Sequence, residues 1–589
     1  MGRLVGATAA AVAAATLVAG SPAGALAAGS DNAWQPVGVA ATLDAPGWDL
    51  FGYGPGRDRA EHRPVKAGAA HAFPYLPGEP DGRSMSIGTV TDGRIVNAVP
   101  LPAPGRTYGV LSRQHRRQLQ YGSQELITAL VAASEAVDAA YPGAVLWFGN
   151  IGRRSGGDIP YSVSHNAGRD ADLAFYVTDP WGRIVQPPDL LRHRADGRSI
   201  EFGGYYRFDD ARNWALVRAL ATSPHAHLQY LFISNGLRAR LLAHARALGE
   251  PADLVARASA LMMEPGPNIP HDDHLHVRVH CSAADLTAGC EELGRMLSGT
   301  PRHERAVAAK RAQATALFDA EDAATRVNAV RRLALIGTRS DAAALRRAVS
   351  DPSPAVRAAA AQALAGLGGP ADATALALRW DDEPDASVRE AIVRATARLG
   401  GREAGEFYAT LLNTPQRGVV RGATYDLRVV VADAAAVAGR PEPGRPLAEL
   451  VGDRDRELAA RALAALRVLT NAEVVRFDPR AAASDAERAA AARTATAWLD
   501  AWASGDRDEW VLAGFEALGA PVEGSASDFA LALARALDDP RPWIRANAED
   551  WLRRLSRTEP LTSRWAWSDR QDFWTRWVRR NRAQLRWPS

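Results

Sequence analysis

Between residues 274 and 280 the chain reads HLHVRVH, and the apolar Leu275, Val277 and Val279 alternate with His274, His276, Arg278 and His280. Side chains of a strand point alternately to its two faces, so a period of two predicts a strand here. Its aliphatic face should meet a core, with His274 and His276 together on the other face. Shorter apolar runs at 144–149 (AVLWFG) and 173–177 (LAFYV) predict further strands. Helical patterns stand among them, one over 113–139 interrupted near Gly122 and another over 209–222. Residues 85–299 therefore read as an α+β domain, an antiparallel sheet with helices.

From about residue 303 the pattern changes to a period near 3.6, rich in Ala, Arg and Leu. TRVNAVRRLALIG (325–337), SPAVRAAAAQALAGLG (353–368) and DASVREAIVRATARLG (385–400) repeat one another, each closing on a glycine: Gly337, Gly368 or Gly400. DPRPWIR (539–545) repeats the opening of DPSPAVR (351–357). A turn, often with Pro, starts each helix and Gly ends it. One such unit cannot bury its apolar stripe alone, so the units must stack. Residues 303–589 resemble HEAT-like repeats and predict an all-α solenoid, with 401–530 the least regular part. Trp543, Trp551, Trp565, Trp567, Trp574, Trp577 and Trp587 crowd the C-terminal end; Trp551 fits a helix core position, and the others are expected in the core, with an interaction surface as the alternative.

The first 27 residues alter the picture by adding a destination. Arg3 precedes an Ala/Val/Leu-rich run that ends in Ala25-Leu26-Ala27, the layout of an export signal with cleavage expected after Ala27. No later segment has the ~20 apolar residues of a membrane span, so the mature chain is expected to be periplasmic or secreted, without a span. Residues 28–84, rich in Gly, Pro and Asp, show no period and predict an irregular N-terminal segment. A formal net charge of +3 with no Lys/Arg-rich tract argues against a nucleic-acid partner. The only two cysteines, Cys281 and Cys290, lie close together, and in an oxidising compartment they are expected to pair.

Two constellations carry the candidate chemistry. HDDHLHVRVH (271–280) holds four of the chain's thirteen histidines. SHNAGRDADLAFYV (164–177) holds His165 seven residues before Asp172, with Asp170 and Asp172 on one face of a strand start and Gly168 free to make the tight turn between them. Two imidazoles and a carboxylate suit Zn²⁺ with a fourth position open to water. Asp170 would orient His165 or touch substrate. Arg278, on the His276 face, would hold a substrate carboxylate or serve a structural ion pair.

These motifs, together with SIGTVTDGRIVNAVPLP, LSRQHRRQLQYGSQELI, FGNIGRRSGGDIPYSVSHNAGRDADL and HLQYLFISNGL, make Ser86 to Glu291 resemble the penicillin-insensitive murein endopeptidases. That family is related to lysostaphin-type and D-Ala-D-Ala-type zinc peptidases and to the Hedgehog fold. The resemblance implies His165, Asp172 and His276 as zinc ligands, His274 as the catalytic histidine and His271 as a further active-site histidine. It implies hydrolysis of the D-alanyl–meso-diaminopimelate amide of peptidoglycan cross-links. One position departs: where the family often has another histidine, three residues before the first ligand, this chain has Ser162. Spacing alone supports only a metal-dependent amidase. A carboxypeptidase trimming D-amino acids, or a non-catalytic peptidoglycan-binding scaffold, are the other readings. The repeats are expected to bind a protein partner.

Overall fold

The computed structural model describes residues 73–79, 82–159, 162, 164–265, 270–294, 301–415, 417–420, 423–502, 506–557 and 567–588. The expected export signal, most of residues 28–84 and Trp565 lie outside the described residues. The chain divides into two compact units, Phe73–Gly337 and, among the described residues, Thr338 onward.

The first unit is built on a six-stranded sheet. Its strands are β1 (Tyr108–Val110), β2 (Leu146–Phe148), β3 (Asp170–Ala174), β4 (Leu228–Phe232), β5 (Met262–Met263) and β6 (His274–Val279), in the order β5-β4-β6-β3-β2-β1. The central pairs are antiparallel, as the alternating pattern predicts. Both edge pairs, β4 with β5 and β2 with β1, are parallel. Four helices cover one face: α1 (Gln124–Ala140), α2 (Asp210–Ala221), α3 (Asn235–Ala247) and α4 (Ala252–Leu261). Their apolar stripes pack with Ala171, Leu173, Leu275, Val277 and Val279 in one core. The helix expected over 113–139 is broken as anticipated, into Ser112–Arg117 and α1. Ser123 caps α1 by accepting from Leu126 N, and Asp209 caps α2 by accepting from Ala211 N and Arg212 N.

Residues 73–79 are held to this unit by charge. Glu79 accepts from Arg332 (2.7 and 2.9 Å) and pairs with Lys310 at 2.8 Å, while the Arg332 guanidinium lies 4.4 Å from the Phe73 ring centre. Arg332 belongs to α5 (Ala323–Ile336), which with helix Pro301–Ala316 carries repeat-like sequence within the first unit. Cys281 and Cys290 form the expected disulfide.

The second unit is a run of helices that includes α6 (Pro354–Leu367), α7 (Ala386–Leu399) and α8 (Pro542–Ser556). α5, α6 and α7 stop at the three repeat glycines. The arginine shared by the repeats closes each turn on itself. Arg326, Arg357, Arg389 and Arg545 each donate to the carbonyl six residues back, on Ala320, Asp351, Glu383 and Asp539, at 2.6 to 2.9 Å. Arg357 also makes a two-pronged, buried pair with Glu383 at 2.7 and 2.8 Å. Helices do not account for the whole unit, because Arg417–Val420 and Ala423–Asp426 pair as an antiparallel hairpin. Val419, Val420, Thr424 and Tyr425 are strand-favouring types in the stretch where the repeat pattern fails. Trp551 and Trp574 are buried, and Trp543, Trp567, Trp577 and Trp587 pack half-buried against the same core.

Candidate metal centre

The uncovered face of β3 and β6 carries the site. In the antiparallel register His276 lies opposite Asp172 and Arg278 opposite Asp170, so four polar side chains share one face two by two. His165 arrives from the turn before β3. Gly168 makes that turn at φ +68°, and a Cβ there would come within 2.5 Å of Ile95. His165 itself sits at φ +76° and His271 at φ +50°, left-handed conformations that cost a non-glycine residue about 1 kcal/mol or more each.

One oxygen is the focus. Asp172 Oδ1 lies 3.2 Å from His165 Nε2, 3.1 Å from His276 Nδ1 and 3.2 Å from His274 Nε2. The opposite nitrogen of each ring is already engaged. His165 Nδ1 lies 2.7 Å from the Ile151 carbonyl, His276 Nε2 2.9 Å from Asp170 Oδ1 and His274 Nδ1 2.7 Å from Asp273 Oδ1. Each of those partners is an acceptor, so each ring commits its one neutral-state proton outward. Three bare nitrogens and a carboxylate oxygen are then left facing one another. Such a cluster is stable only if positive charge is supplied, by further protons or by a cation.

The electrostatics carry the same demand. Burial disfavours a charged Asp172, yet the imidazoles of His165 and His274 hold its carboxyl well below the usual carboxylate range. Burial also opposes charge on His274, and the carboxylates of Asp172 and Asp273 override it, pushing the imidazole up to about 10. His165 is raised in the same way, Asp172 outweighing its complete burial. His165 Nε2 and Asp172 Oδ1 are buried without a hydrogen-bond partner, the signature of atoms shaped for something other than each other. Two triplets have ligand atoms within 4.8 Å of one another: His165, Asp172 and His276, all buried, and His271, His274 and His276. The first fits a divalent ion better, because it supplies an anionic oxygen and two nitrogens whose far sides are fixed by acceptors.

Several placements go beyond the sequence. Asp170, wholly buried, orients the His276 ring and takes only the backbone N–H of His165 (3.3 Å), where its ring-orienting role was expected toward His165. Arg278 is spent on Asp170, its Nε donating at 2.6 Å, so it stands as a structural ion pair beneath the site. Burial raises the Asp170 carboxyl, but Arg278 and then His276 keep it far below its ordinary value. The His271 ring stands 4.9 Å from that of His274 and 5.6 Å from that of Phe232. Ser162 donates nothing to the cluster among the described contacts; its hydroxyl accepts from Ser164 N.

Two residues were not foreseen. Asn150 Nδ2 donates to Asp172 Oδ2 at 3.0 Å, and its carbonyl accepts from Asp172 N, which turns Oδ1 toward the imidazoles. Its only signal is a polar residue directly after the β2 run, in FGNIG. Phe232, opposite His276 on β4, walls the site with its ring 5.3 Å from that imidazole. On the other side, Gly149 allows the close approach of Asp172, since a Cβ there would meet the Asp172 Cβ at 2.9 Å.

An α+β sheet thus presents a buried His/Asp/His set with its outer hydrogen bonds complete, a candidate site for a divalent cation. Comparison with known proteins adds a family likeness. Residues 86–302 match the model of the penicillin-insensitive murein endopeptidase family, and residues 313–397 match HEAT repeats. A penicillin-insensitive murein endopeptidase of Pectobacterium atrosepticum is 25% identical over 220 residues, covering 36% of this chain and 69% of the relative. One of Haemophilus influenzae is 26% identical over 215 residues, covering 35% of this chain and 67% of its own length. One of Escherichia coli is 25% identical over 215 residues, with 36% and 71% covered. A crystal structure of an engineered protein overlays 63% of this chain and 85% of its own at 15% identity and a TM-score of 0.23, too low to bear on the fold.

Proposed function

We propose that this chain is a zinc-dependent peptidoglycan endopeptidase, exported from the cytoplasm, that hydrolyses the D-alanyl–meso-diaminopimelate amide of murein cross-links. The observation that carries the reading is the convergence of three imidazole nitrogens on Asp172 Oδ1, each ring pinned from behind. His165 Nε2, His276 Nδ1 and the Asp172 carboxylate are the ligands. Held there, Zn²⁺ would acidify a water and polarise the scissile carbonyl.

The chain's own groups do the rest. Asn150 and Asp170 keep Asp172 and His276 in their ligating rotamers, so little reorganisation is left for the reaction. With a cation on Asp172 offsetting the carboxylate that raises it, His274, only 14% exposed and with Nδ1 on Asp273, would have Nε2 available to take the proton of the attacking water and pass it to the leaving amine. His271, beside it, donates to the oxyanion. Phe232 excludes water from the buried side. No membrane-crossing helix occurs among the described residues, which suits a soluble enzyme meeting an extracytoplasmic polymer. The HEAT-like unit offers a protein partner a docking surface.

Metal analysis and sacculus digestion on the wild-type chain and on His276→Ala test the reading. The wild type should retain about one zinc per site and convert dimeric muropeptides to monomers, and His276→Ala should lose both properties together. Zinc-loaded protein that leaves every dimer intact would overturn it. Loss of terminal D-amino acids from monomers, with dimers untouched, would instead identify a carboxypeptidase.

A further inference from the structure

Among the described residues, exposed large apolar side chains are concentrated in one short segment. Trp181 is 73% exposed, Phe202 62%, Ile184 42%, Tyr205 39% and Ile200 37%. The rings form a continuous path. Trp181 and Tyr205 lie 6.5 Å apart, Tyr205 and Tyr206 5.2 Å, and Tyr206 and Phe202 5.4 Å between centres. Exposed aromatic area of this extent has a solvation cost, and in a folded protein it marks an interaction surface.

The presentation is rigid as well as exposed. Trp181 sits at the tip of the hairpin that joins Val177–Thr178 to Ile184–Val185. Asp179 locks that tip, its Oδ1 accepting from Trp181 N and Arg183 N, both at 2.9 Å. The Arg183 guanidinium lies 5.2 Å from the indole centre. Phe202 sits at φ +54°, a left-handed conformation, with its carbonyl accepting from Tyr205 N.

Backbone hydrogen bonds tie the segment that carries these rings to the loop before β6. Ile200 N donates to the Arg192 carbonyl, Arg192 pairs with Glu201 at 2.8 Å, and the next residue, His193, donates its N–H to the Asp272 carbonyl at 2.7 Å. Asp272 lies between His271 and His274 in the chain. The chain segment that carries Phe202, Tyr205 and Tyr206 is thus linked, through Ile200 and then His193, to the loop of His271 and His274.

We propose that Trp181, Tyr205, Tyr206 and Phe202 form a platform for the glycan strand of peptidoglycan, a deepening that rests on the endopeptidase reading above. The rings meet edge to face, at 75° to 80° between planes, with Arg183 and the Arg192–Glu201 pair beside them. Faces and edges alternate along the path, which fits a sugar chain, in which apolar C–H faces alternate with hydroxyl and acetamido edges. Each C–H face stacks on a ring, and Arg183, Arg192 and Glu201 meet the polar edges. Neighbouring rings here lie at a spacing comparable with that of successive pyranoses. A lipid surface or a hydrophobic protein partner would instead call for contiguous aliphatic area without interleaved charge.

The test uses the full chain and two probes: glycan strands stripped of their stem peptides by an amidase, and a soluble cross-linked peptide dimer without sugar. The wild type should bind the stripped strands by titration calorimetry. Trp181→Ala/Phe202→Ala should weaken that binding about tenfold, the scale of two lost ring contacts. The same variant should raise KM on sacculi by a similar factor, leave kcat unchanged and cleave the peptide dimer at the wild-type rate. Trp181→Phe should restore most of the binding. Equal glycan affinity in wild type and double variant overturns the platform, as does self-association or vesicle binding lost in the variant without any glycan binding. A wild type that binds glycan but cuts neither substrate retires the enzymatic reading and keeps the platform. One that cuts the dimer and ignores glycan does the reverse.

Discussion

Asp170→Asn separates two jobs that one carboxylate performs. Its Oδ1 accepts from His276 Nε2 at 2.9 Å and from Arg278 Nε at 2.6 Å, and all three side chains are nearly or wholly buried. The asparagine keeps the shape and loses the charge. Through His276 the loss reaches the metal: outer carboxylates of this kind are worth about 10- to 100-fold in metal affinity, or about 1.4–2.7 kcal/mol. Through Arg278 it reaches stability, because a buried guanidinium without its partner costs about 3–5 kcal/mol. The second effect is removable. Asp170→Asn/Arg278→Met should recover most of the stability of the metal-free protein and none of the metal affinity. Urea unfolding of the metal-free chain reads the first quantity, and competition with a chelator of known affinity reads the second. If Asp170→Asn bound zinc as tightly as the wild type while unfolding earlier, Asp170 would be only the counter-ion of Arg278, and its role in aiming His276 would be refuted.

Other parts of the molecule give equally direct expectations. Burial raises the Glu79 carboxyl, but Arg332, Lys310 and the Leu76 N–H bring it down from 4.5 to about 2. A carboxyl depressed in the folded state stabilises above its unfolded pKa and loses that contribution as pH falls toward the folded value. Glu79→Gln should therefore cost about 3 kcal/mol at pH 7 and about 1 kcal/mol at pH 3 in urea unfolding, and an equal cost at both would contradict the assignment. Arg357→Met removes both the turn clamp and the partner of the buried Glu383, so it should destabilise the helical unit by about 3–5 kcal/mol. Zinc content is the control that should not move. Replacing Cys281 and Cys290 by Ser opens a short loop of sequence separation 9, worth about 2–3 kcal/mol on the chain-entropy account. Thermal melting should register that loss while chelator competition stays at the wild-type value.

How far the sequence foretold this structure depends on whether a feature has a period. The strand of His274–Val279 was legible because one of its faces is buried, and burial leaves an alternation. The repeat helices were legible for the same reason at the helical period, and their glycine ends fell where expected. Arg357 and Arg545 were visible as a recurring letter, but not as clamps on their own turns, because a carbonyl six residues back leaves no mark on composition. His165, Asp172 and His276 could be gathered from two motifs. Which imidazole Asp170 serves could not, since Asp170 and Asp172 share a face and differ only in the partner opposite each. Asn150 is an isolated polar residue after a strand, and its contribution arises wholly from tertiary contact with Asp172. The parallel edge strands are only two or three residues long, too short for any periodicity to declare their direction.

The same alternation that builds the core also aims the proposed ligands. His276 faces Asp172 only in the register that sends Leu275 and Val277 inward. A slip of one residue would place those aliphatic chains on the site face and drive two imidazoles into the core, at a cost far above that of any single contact. The site therefore needs little dedicated machinery to hold His276 and Asp172 together: hydrophobic burial in the first unit does it. Of the histidines and carboxylates of the candidate ligand cluster, only His165 and His271 come from outside the ladder, and these two are the ones found in left-handed backbone. Strain is concentrated where the register cannot reach, at the turn closed by Gly168 and at the loop leading into β6. Substitutions that loosen the pairing of β3 and β6 should consequently lower stability and metal affinity in proportion, whereas substitutions in those two turns should alter metal affinity with little change in stability.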